Sequence, residues 1–332
     1  MRKLLALILV AAAGWSAYWF IGAQGHETAV ATWLEDRRSE GWQVEYSNHK
    51  VAGFPNRFDT TFTDLRLTDP ETGLSWQAPM FQILSLSYQP NHLIAVWPNE
   101  QVIATPREKF AVKTEDMRAS IKVKPSTSLD LDSAQVEIRQ AQIASSEGWT
   151  SRFETLNGAI RNVESGDPHY DVAASIDQFL PAEPLRGLID RDGSLPEVIE
   201  TLRFDLNMEL AAPLNRKALE TRRPDVTGLT IRDARAAWGE LELRMNGEMT
   251  VENTVPNGEV NVSARNWKEM LALAVQTGAV DADAARAAEF ALSLLAASSG
   301  GENSLDATLN LSRGAVLLGP VPIGTAPRIA LP

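Results

Sequence analysis

The feature that most constrains this chain is an uncharged, mostly apolar run of 20 residues near its N-terminus, Leu4 to Ala23. The two basic residues Arg2 and Lys3 precede it. A helix of about 20 residues spans a hydrocarbon core of about 30 Å. The run therefore predicts a transmembrane anchor over residues 1–23. Its second half contains an aromatic group: Trp15, Tyr18, Trp19 and Phe20.

The flanking residues also predict an orientation. Basic residues beside a transmembrane helix favour the cytoplasmic side, and Trp and Tyr favour the membrane interfaces. We therefore expect Arg2 and Lys3 in the cytoplasm and the bulk of the chain across the membrane. A cleaved signal peptide is the alternative, because Ala11-Ala12-Ala13 resembles a cleavage site, although apolar residues continue to Ile21.

The body beyond the anchor is acidic and free of cysteine. The formal net charge is -12 at pH 7, and Arg2 and Lys3 are the only charged side chains before His26. Nucleic acid binding needs a basic surface, so no nucleic acid partner is expected. Without cysteine, the chain has no thiolate nucleophile and no thiolate ligands for zinc.

Residues 24–41 predict a helical stalk. Ala29, Val30, Trp33 and Leu34 recur at helical spacing, and Gly41 ends the pattern. Two interpretations are open at this point. The segment either continues the membrane helix or is a first helix packed on a sheet.

Beyond Gly41 the apolar residues alternate. Leu202 to Leu210 and Leu241 to Met245 are clear examples. Alternation gives a strand one apolar and one hydrated face, which is typical of antiparallel sheets. The predicted fold class is mainly β (α+β): an N-terminal transmembrane helix, then extended antiparallel sheets with a few packed helices. Further strands are predicted over residues 57–67, 74–78, 81–88, 93–97, 110–114, 117–123, 134–143, 149–163 and 305–311.

Turns and helices are predicted in the second half. Asn246-Gly247 and Asn257-Gly258 are hairpin signals, and Met249, beyond the first of them, is expected to tolerate substitution best. Asn266 followed by Glu269 resembles a capping box that opens a helix. A second helix follows from about Asp281 to Ala297, which gives two helices over residues 267–297. Its apolar stripe comprises Ala287, Phe290, Ala291, Leu294 and Leu295.

The segment from Asp177 to Pro196 is rich in Pro and Gly and has no regular period. It is the candidate boundary between a β-rich first half, residues 42–180, and a β-rich second half, residues 197–332. One continuous domain is the alternative. The oligomeric state is not determined by the sequence.

No motif predicts a catalytic, cofactor or metal site. The chain lacks the G-x-S-x-G elbow, the phosphate loop, the dinucleotide fingerprint and the H-E-x-x-H zinc motif. Its histidines, His26, His49, His92 and His169, are isolated in sequence. We therefore expect no cofactor, no metal and no enzymatic activity, with an unrecognised hydrolase as the remaining enzyme hypothesis.

Two terminal segments carry a resemblance. Val51-Ala52-Gly53-Phe54-Pro55-Asn56-Arg57-Phe58 follows the anchor, and Ser312-Arg313-Gly314-Ala315-Val316-Leu317-Leu318-Gly319-Pro320-Val321-Pro322-Ile323-Gly324 lies near the end. With the anchor, their G-F-P and G-P-x-P-x-G motifs resemble a bacterial envelope family known only as a domain of unknown function. The chain is more loosely similar to AsmA-like envelope proteins, through strands such as Leu243 to Met249. That similarity implies an elongated sheet, an apolar groove and lipid handling between membranes.

Together these features predict a single-pass protein of the bacterial inner membrane with a periplasmic body. We expect a non-enzymatic protein that binds lipid or another apolar ligand through one sheet face. The alternative is a structural or accessory subunit of an envelope complex without its own ligand. Expected partners are the membrane, phospholipid and envelope proteins. The binding candidates are Phe54, Leu241, Leu243, Met245 and Met249. Alternation alone does not distinguish a groove from a closed core.

Overall fold

A computed structural model describes residues 1–163, 168–191, 193–221, 223–278, 280, 303–319 and 321–331, and positions 283, 285, 286, 289, 292, 293 and 296. The chain divides into two compact units. The first comprises residues 1–125 and 136–148, and the second comprises residues 126–135 and 149–332. The fold class predicted from the sequence is confirmed, because antiparallel strands dominate and a few helices accompany them. The sequence boundaries 42–180 and 197–332 stay predictions.

The predicted anchor and stalk form one continuous helix, α1 (Arg2–Ser39). Its first half exposes most of its apolar side chains. Its second half packs on the sheet of the first unit, where Leu34 is buried against Val44, Phe62 and Leu65. The helix therefore both continues the apolar run and packs on the sheet, so each of the two interpretations holds for part of it. Gly41, with a φ of 92°, follows its end.

The sheet of the first unit is built around β3. It pairs with β1 and β2 on one side and with β4 on the other. The strands are β1 (Gln43–Glu45), β2 (Asn48–Ala52), β3 (Arg57–Thr68), β4 (Ser75–Leu86), β5 (Gln89–Val96), β6 (Glu100–Ala104), β7 (Lys109–Lys113), β8 (Asp116–Val123) and β9 (Leu131–Ser145, in this unit from Val136).

The predicted strands 74–78 and 81–88 are one strand, β4, so their separation was wrong. β4 pairs with β6 over residues 75–77 and with β5 over residues 82–86. Pro79, which has no N–H to donate, lies between the two paired stretches, so the strand can continue through it. Beyond them, β8 pairs with β5, β7 with β6, and β9 with β7.

The second unit is an antiparallel meander in which each strand pairs with the next along the chain. The elements are β10 (Thr150–Asn162), β11 (His169–Phe179), α2 (Glu183–Ile189), β12 (Ile199–Leu210), α3 (Arg216–Glu220), β13 (Val226–Trp238), β14 (Leu241–Glu252), β15 (Val255–Arg265), α4 (Trp267–Gln276), β16 (Ser304–Ser312), β17 (Ala315–Leu318) and β18 (Val321–Thr325). Among the described residues, the helices α2, α3 and α4 interrupt the meander, and further helical positions lie between residues 283 and 296.

Both predicted Asn-Gly turns were wrong. Gly247 lies within β14 and Gly258 within β15, where they face Val260 and Met249 across the ladder. A methyl group on either glycine would overlap the backbone of the neighbouring strand, so these glycines permit close approach of two strands. The β14–β15 turn is instead at Asn253-Thr254, where both φ values are positive.

Helix α4 begins after Asn266, as predicted, but the capping box was wrong. The backbone of Asn266 is left-handed, with a φ of 55°, and its side chain does not cap the helix. Instead its amide donates a hydrogen bond of 3.0 Å to the carbonyl oxygen of Glu240. In the second predicted helix, the described positions between 283 and 296 are helical, and Leu292 and Ala296 are buried against Trp267. Its predicted stripe lies outside the described residues.

Candidate apolar binding face

The sheet of the second unit has an apolar face whose two ends are covered. At one end, Trp238 and Leu241 form a buried cluster that also contains Met270 and Leu273 of α4. At the other end, a second cluster is closed by Ile329 and Leu331 of the C-terminal segment. Its buried members are Tyr170, Met208, Leu210, Val226 and Val251.

Between these two ends, a row of seven residues crosses the sheet from β10 to β16. Residues that are directly opposite in a ladder point to the same face, so the register alone defines the row. Seven strands about 4.8 Å apart make it about 29 Å long. The row is Gly158, Ala174, Phe204, Ala234, Met245, Val262 and Ala307.

The members of this row are only partly covered. The side chain of Phe204 is 41% exposed, and the other six residues are of intermediate burial. Four of the seven are Gly or Ala. Along most of the row, little side-chain volume therefore rises above the backbone of the sheet. An exposed Phe among small residues is unusual for the interior of a closed core, where packing is dense.

The rows on both sides of it are also apolar. One runs through Ile160, Val172, Leu206, Ile231, Gly247, Val260 and Leu309. The other runs through Leu156, Ile176, Leu202, Ala236, Leu243, Ala264 and Leu305. We call the three rows together the apolar band. None of its 21 positions carries a polar side chain, so it suits an apolar ligand and offers nothing for a charged group.

The opposite face of the same sheet collects the charges. Asp171 accepts hydrogen bonds from Arg161 (2.8 Å), Asn207 (3.2 Å) and Arg232. Partial burial alone would raise the pKa of the Asp171 carboxyl, but these three donors lower it to about 2.

A second cluster on the charged face surrounds Glu242. Its carboxylate forms ion pairs with Arg244 (2.6 Å), Arg235 (3.1 Å) and Arg265 (3.3 Å). The hydrogen bond from Arg244 is the main cause of a lowered pKa for Glu242. The two faces therefore divide the sheet cleanly, with ion pairs on one side and the apolar band on the other.

The four candidates on β14 differ in position. Leu243 and Met245 lie half-buried within the apolar band. Leu241 is 4% exposed and belongs to the covered end near α4. Met249 is 5% exposed and packs in a cluster with Val260 and Leu311. A role of these residues in ligand binding stays a prediction.

The fifth candidate, Phe54, belongs to the first unit. It lies in the loop between β2 and β3, before a cis peptide bond to Pro55, and is 53% exposed. Its ring contacts two aromatic residues of α1: Trp19, at 5.4 Å between centroids, and Phe20, at 5.9 Å. Phe54 therefore belongs with the anchor helix in the first unit.

Sequence reasoning placed Phe204 on the apolar face of its strand, but it did not identify Phe204 or the small residues in its row as a binding surface. The alternation over β12 predicted that Phe204 faces the apolar side, but this pattern is the same for a core and for an open face. Ala174, Ala234 and Ala307 at apolar positions of three strands were the available signal. Their alignment depends on the register, which the sequence pattern does not supply.

The fold and this face define a class: an antiparallel β protein with one N-terminal helix long and apolar enough to cross a membrane. The chain belongs to the family described as an uncharacterized protein conserved in bacteria (DUF2125), whose family model matches residues 19–327. The predicted membership in a bacterial family of unknown function is thereby confirmed. No curated protein and no solved structure matches the chain.

Proposed function

We propose that this protein is a non-enzymatic component of the bacterial cell envelope that binds the acyl chain of a phospholipid on its apolar band. It is held in the inner membrane by α1, with its N-terminus in the cytoplasm and its β-rich body in the periplasm. The loose similarity to AsmA-like proteins agrees with this function, and the half-open row through Phe204 is the observation that carries it.

The dimensions of the band support an acyl chain as ligand. The hydrocarbon core of a bilayer is about 30 Å thick, so the chains of one leaflet are about 15 Å long. The row through Phe204 is about 29 Å long, which is ample for one extended chain. Burial of apolar surface at about 25 cal/mol per Å² would drive binding, and the small side chains of Ala174 and Ala234 beside Phe204 occupy little space above the sheet.

The membrane part of the proposal rests on α1. Its first half is uncharged between Leu4 and Ala23, and Leu4, Leu7 and Val10 are exposed. A reporter that is active only outside the cytoplasm, fused after Pro332, should be active. The full-length protein should stay in the membrane fraction after a high-salt wash. A soluble form that begins near Gly14 would show instead that the segment is a cleaved signal peptide.

Site-specific photo-crosslinking tests the lipid ligand. A photoreactive amino acid at Phe204 or Met245, in the band, should yield adducts with phospholipid in intact membranes. The matched control position is Asp205, next to Phe204 but on the charged face, and it should yield none. Equal lipid adducts at all three positions, or none at Phe204 and Met245, would contradict the proposal. Protein adducts at the band would support the accessory-subunit alternative.

A blocking variant separates binding from stability. Ala234→Trp places a large ring in the half-open row, so it should reduce the lipid that co-purifies in native mass spectrometry severalfold. Its thermal midpoint should stay within a few degrees of wild type. Leu241→Ser, at the covered end, should instead lower the midpoint by several degrees because it removes a buried side chain.

A further inference from the structure

Three aromatic side chains in the second half of the apolar run are hydrogen-bonded to the first unit. The indole N–H of Trp15 donates to the carbonyl oxygen of Pro55 at 3.0 Å, and that of Trp19 donates to the carbonyl oxygen of Arg57 at 2.8 Å. The hydroxyl of Tyr18 donates to the carbonyl oxygen of Ser87 at 2.6 Å. From Trp15 onward, the apolar run is therefore attached to two loops and to the first residue of β3.

Close packing reinforces this attachment. Trp19 and Phe58 are buried together with Ala23 in one cluster. Gly22 lies directly against the Phe58 ring, since a methyl group there would be 2.5 Å from Phe58 Cζ. The helix therefore packs directly on the start of β3 through Gly22 and Trp19.

The two loops that receive these hydrogen bonds expose large aromatic side chains beside the helix. Phe54 is 53% exposed and Tyr88, in the β4–β5 turn, is 59% exposed. Neither residues 53–56 nor residues 86–90 include a charged side chain. With the exposed helix residues they form what we call the aromatic collar: Trp15, Tyr18, Phe20, Phe54 and Tyr88.

The part of α1 that precedes its first hydrogen bond to the loops determines how deep in the membrane the collar lies. From Arg2 to Trp15 is 13 residues, or about 20 Å of helix, whereas a hydrocarbon core is about 30 Å thick. If the collar stayed outside the membrane, the helix would be about 10 Å too short for Arg2 and Lys3 to reach the opposite surface. The collar must therefore enter the membrane for α1 to span it.

We propose that the aromatic collar is inserted into the interface of the phospholipid bilayer, with Phe54 and Tyr88 at the boundary between headgroups and acyl chains. Exposed aromatic rings suit this boundary, since the apolar rings of Trp, Tyr and Phe contact the acyl chains and the hydroxyl of Tyr88 lies near the headgroups. The first unit is then fixed against the membrane surface. This inference rests on the spanning helix of the proposed function, and it is independent of lipid binding by the second unit.

The absence of cysteine allows a direct test in the full-length protein. Phe54→Cys, Tyr88→Cys and Leu74→Cys would each carry one NBD fluorophore in vesicles of phosphatidylethanolamine and phosphatidylglycerol, with or without brominated acyl chains. Leu74 is the matched control. It is also exposed and apolar. It lies beyond the end of β3 that is opposite to Arg57, and β3 is about 36 Å long at about 3.3 Å per residue.

Brominated lipid should quench the labels at positions 54 and 88 at least twofold and leave the label at position 74 unchanged. Phe54→Cys removes the ring contacts that hold its own loop. Tyr88→Cys leaves those contacts in place, so its label tests the collar independently. One outcome is that the protein is retained in the vesicles after an alkaline wash while the labels at positions 54 and 88 show no quenching. That result would overturn the proposed insertion of the collar and leave the membrane anchor intact. Loss of the protein in that wash would overturn the spanning helix itself, and the collar with it.

Discussion

Trp19 and Arg57, 38 residues apart in the chain, are joined by a hydrogen bond of 2.8 Å from the indole N–H to the backbone carbonyl oxygen. Trp19 is 6% exposed, so the donor of this bond is buried. Arg57 is the first residue of β3, the central strand of the first unit. One bond therefore connects the apolar run of α1 to the start of the strand around which that sheet is built.

Removal of this donor should destabilise the first unit. Trp19→Phe keeps a ring in the cluster with Phe58 but leaves the Arg57 carbonyl without its partner, which should cost about 1–3 kcal/mol. Trp15→Phe, the control, removes a donor at a more exposed site and should cost less than about 1 kcal/mol. Denaturant unfolding of the full-length protein in detergent micelles measures both. Equal costs would contradict a special role for Trp19.

Two glycines of α1 should respond in opposite directions to alanine. Gly25 has no heavy atom within 4 Å of an added Cβ, so Gly25→Ala should stabilise the helix by up to about 1 kcal/mol. Gly22 lies against the Phe58 ring, so Gly22→Ala should destabilise the protein by about 1–3 kcal/mol. The difference in thermal midpoint between the two variants is the measurement. A stabilising Gly22→Ala would show that the helix is not held against β3.

Met249 should be sensitive to substitution, which reverses the expectation from its sequence position. That expectation relied on a turn at Asn246-Gly247, but β14 continues through these residues and Met249 is buried. Met249→Ser should cost about 2–5 kcal/mol, as expected for truncation of a buried side chain. Met245→Ser, in the half-open row, should cost less than half as much in the same unfolding assay. A larger cost at Met245 would indicate a closed core.

Asp171 should contribute to the pH dependence of stability. Its pKa is about 2 in the folded protein, below the ordinary value of 3.8. The stabilisation is therefore fully present above about pH 5 and is lost as the pH falls from about 4 toward 2. Asp171→Asn should flatten the loss of unfolding free energy over this range. A slope unchanged by Asp171→Asn would contradict the assignment.

Local patterns in the sequence were sufficient for the element types. The uncharged run from Leu4 to Ala23 and the helical spacing around Leu34 predicted helix, and alternation over β12 and β14 predicted half-buried strands. These predictions succeeded because helical and strand periods are set by backbone geometry over a few residues. The same reasoning failed at Gly247 and Asn266, where contacts with residues of another strand or turn decide the conformation.

The sequence by itself determined an apolar N-terminal helix, an acidic antiparallel β body and the family resemblance. The tertiary structure alone decided which apolar residues form a half-open row, because Ala174, Phe204 and Ala234 meet only through strand register. It also decided that Trp15 and Tyr18 donate hydrogen bonds to loop carbonyls and Trp19 to the carbonyl oxygen of Arg57 at the start of β3. The physical reason is that periodicity records which face a side chain takes, whereas exposure depends on what packs against that face from distant parts of the chain.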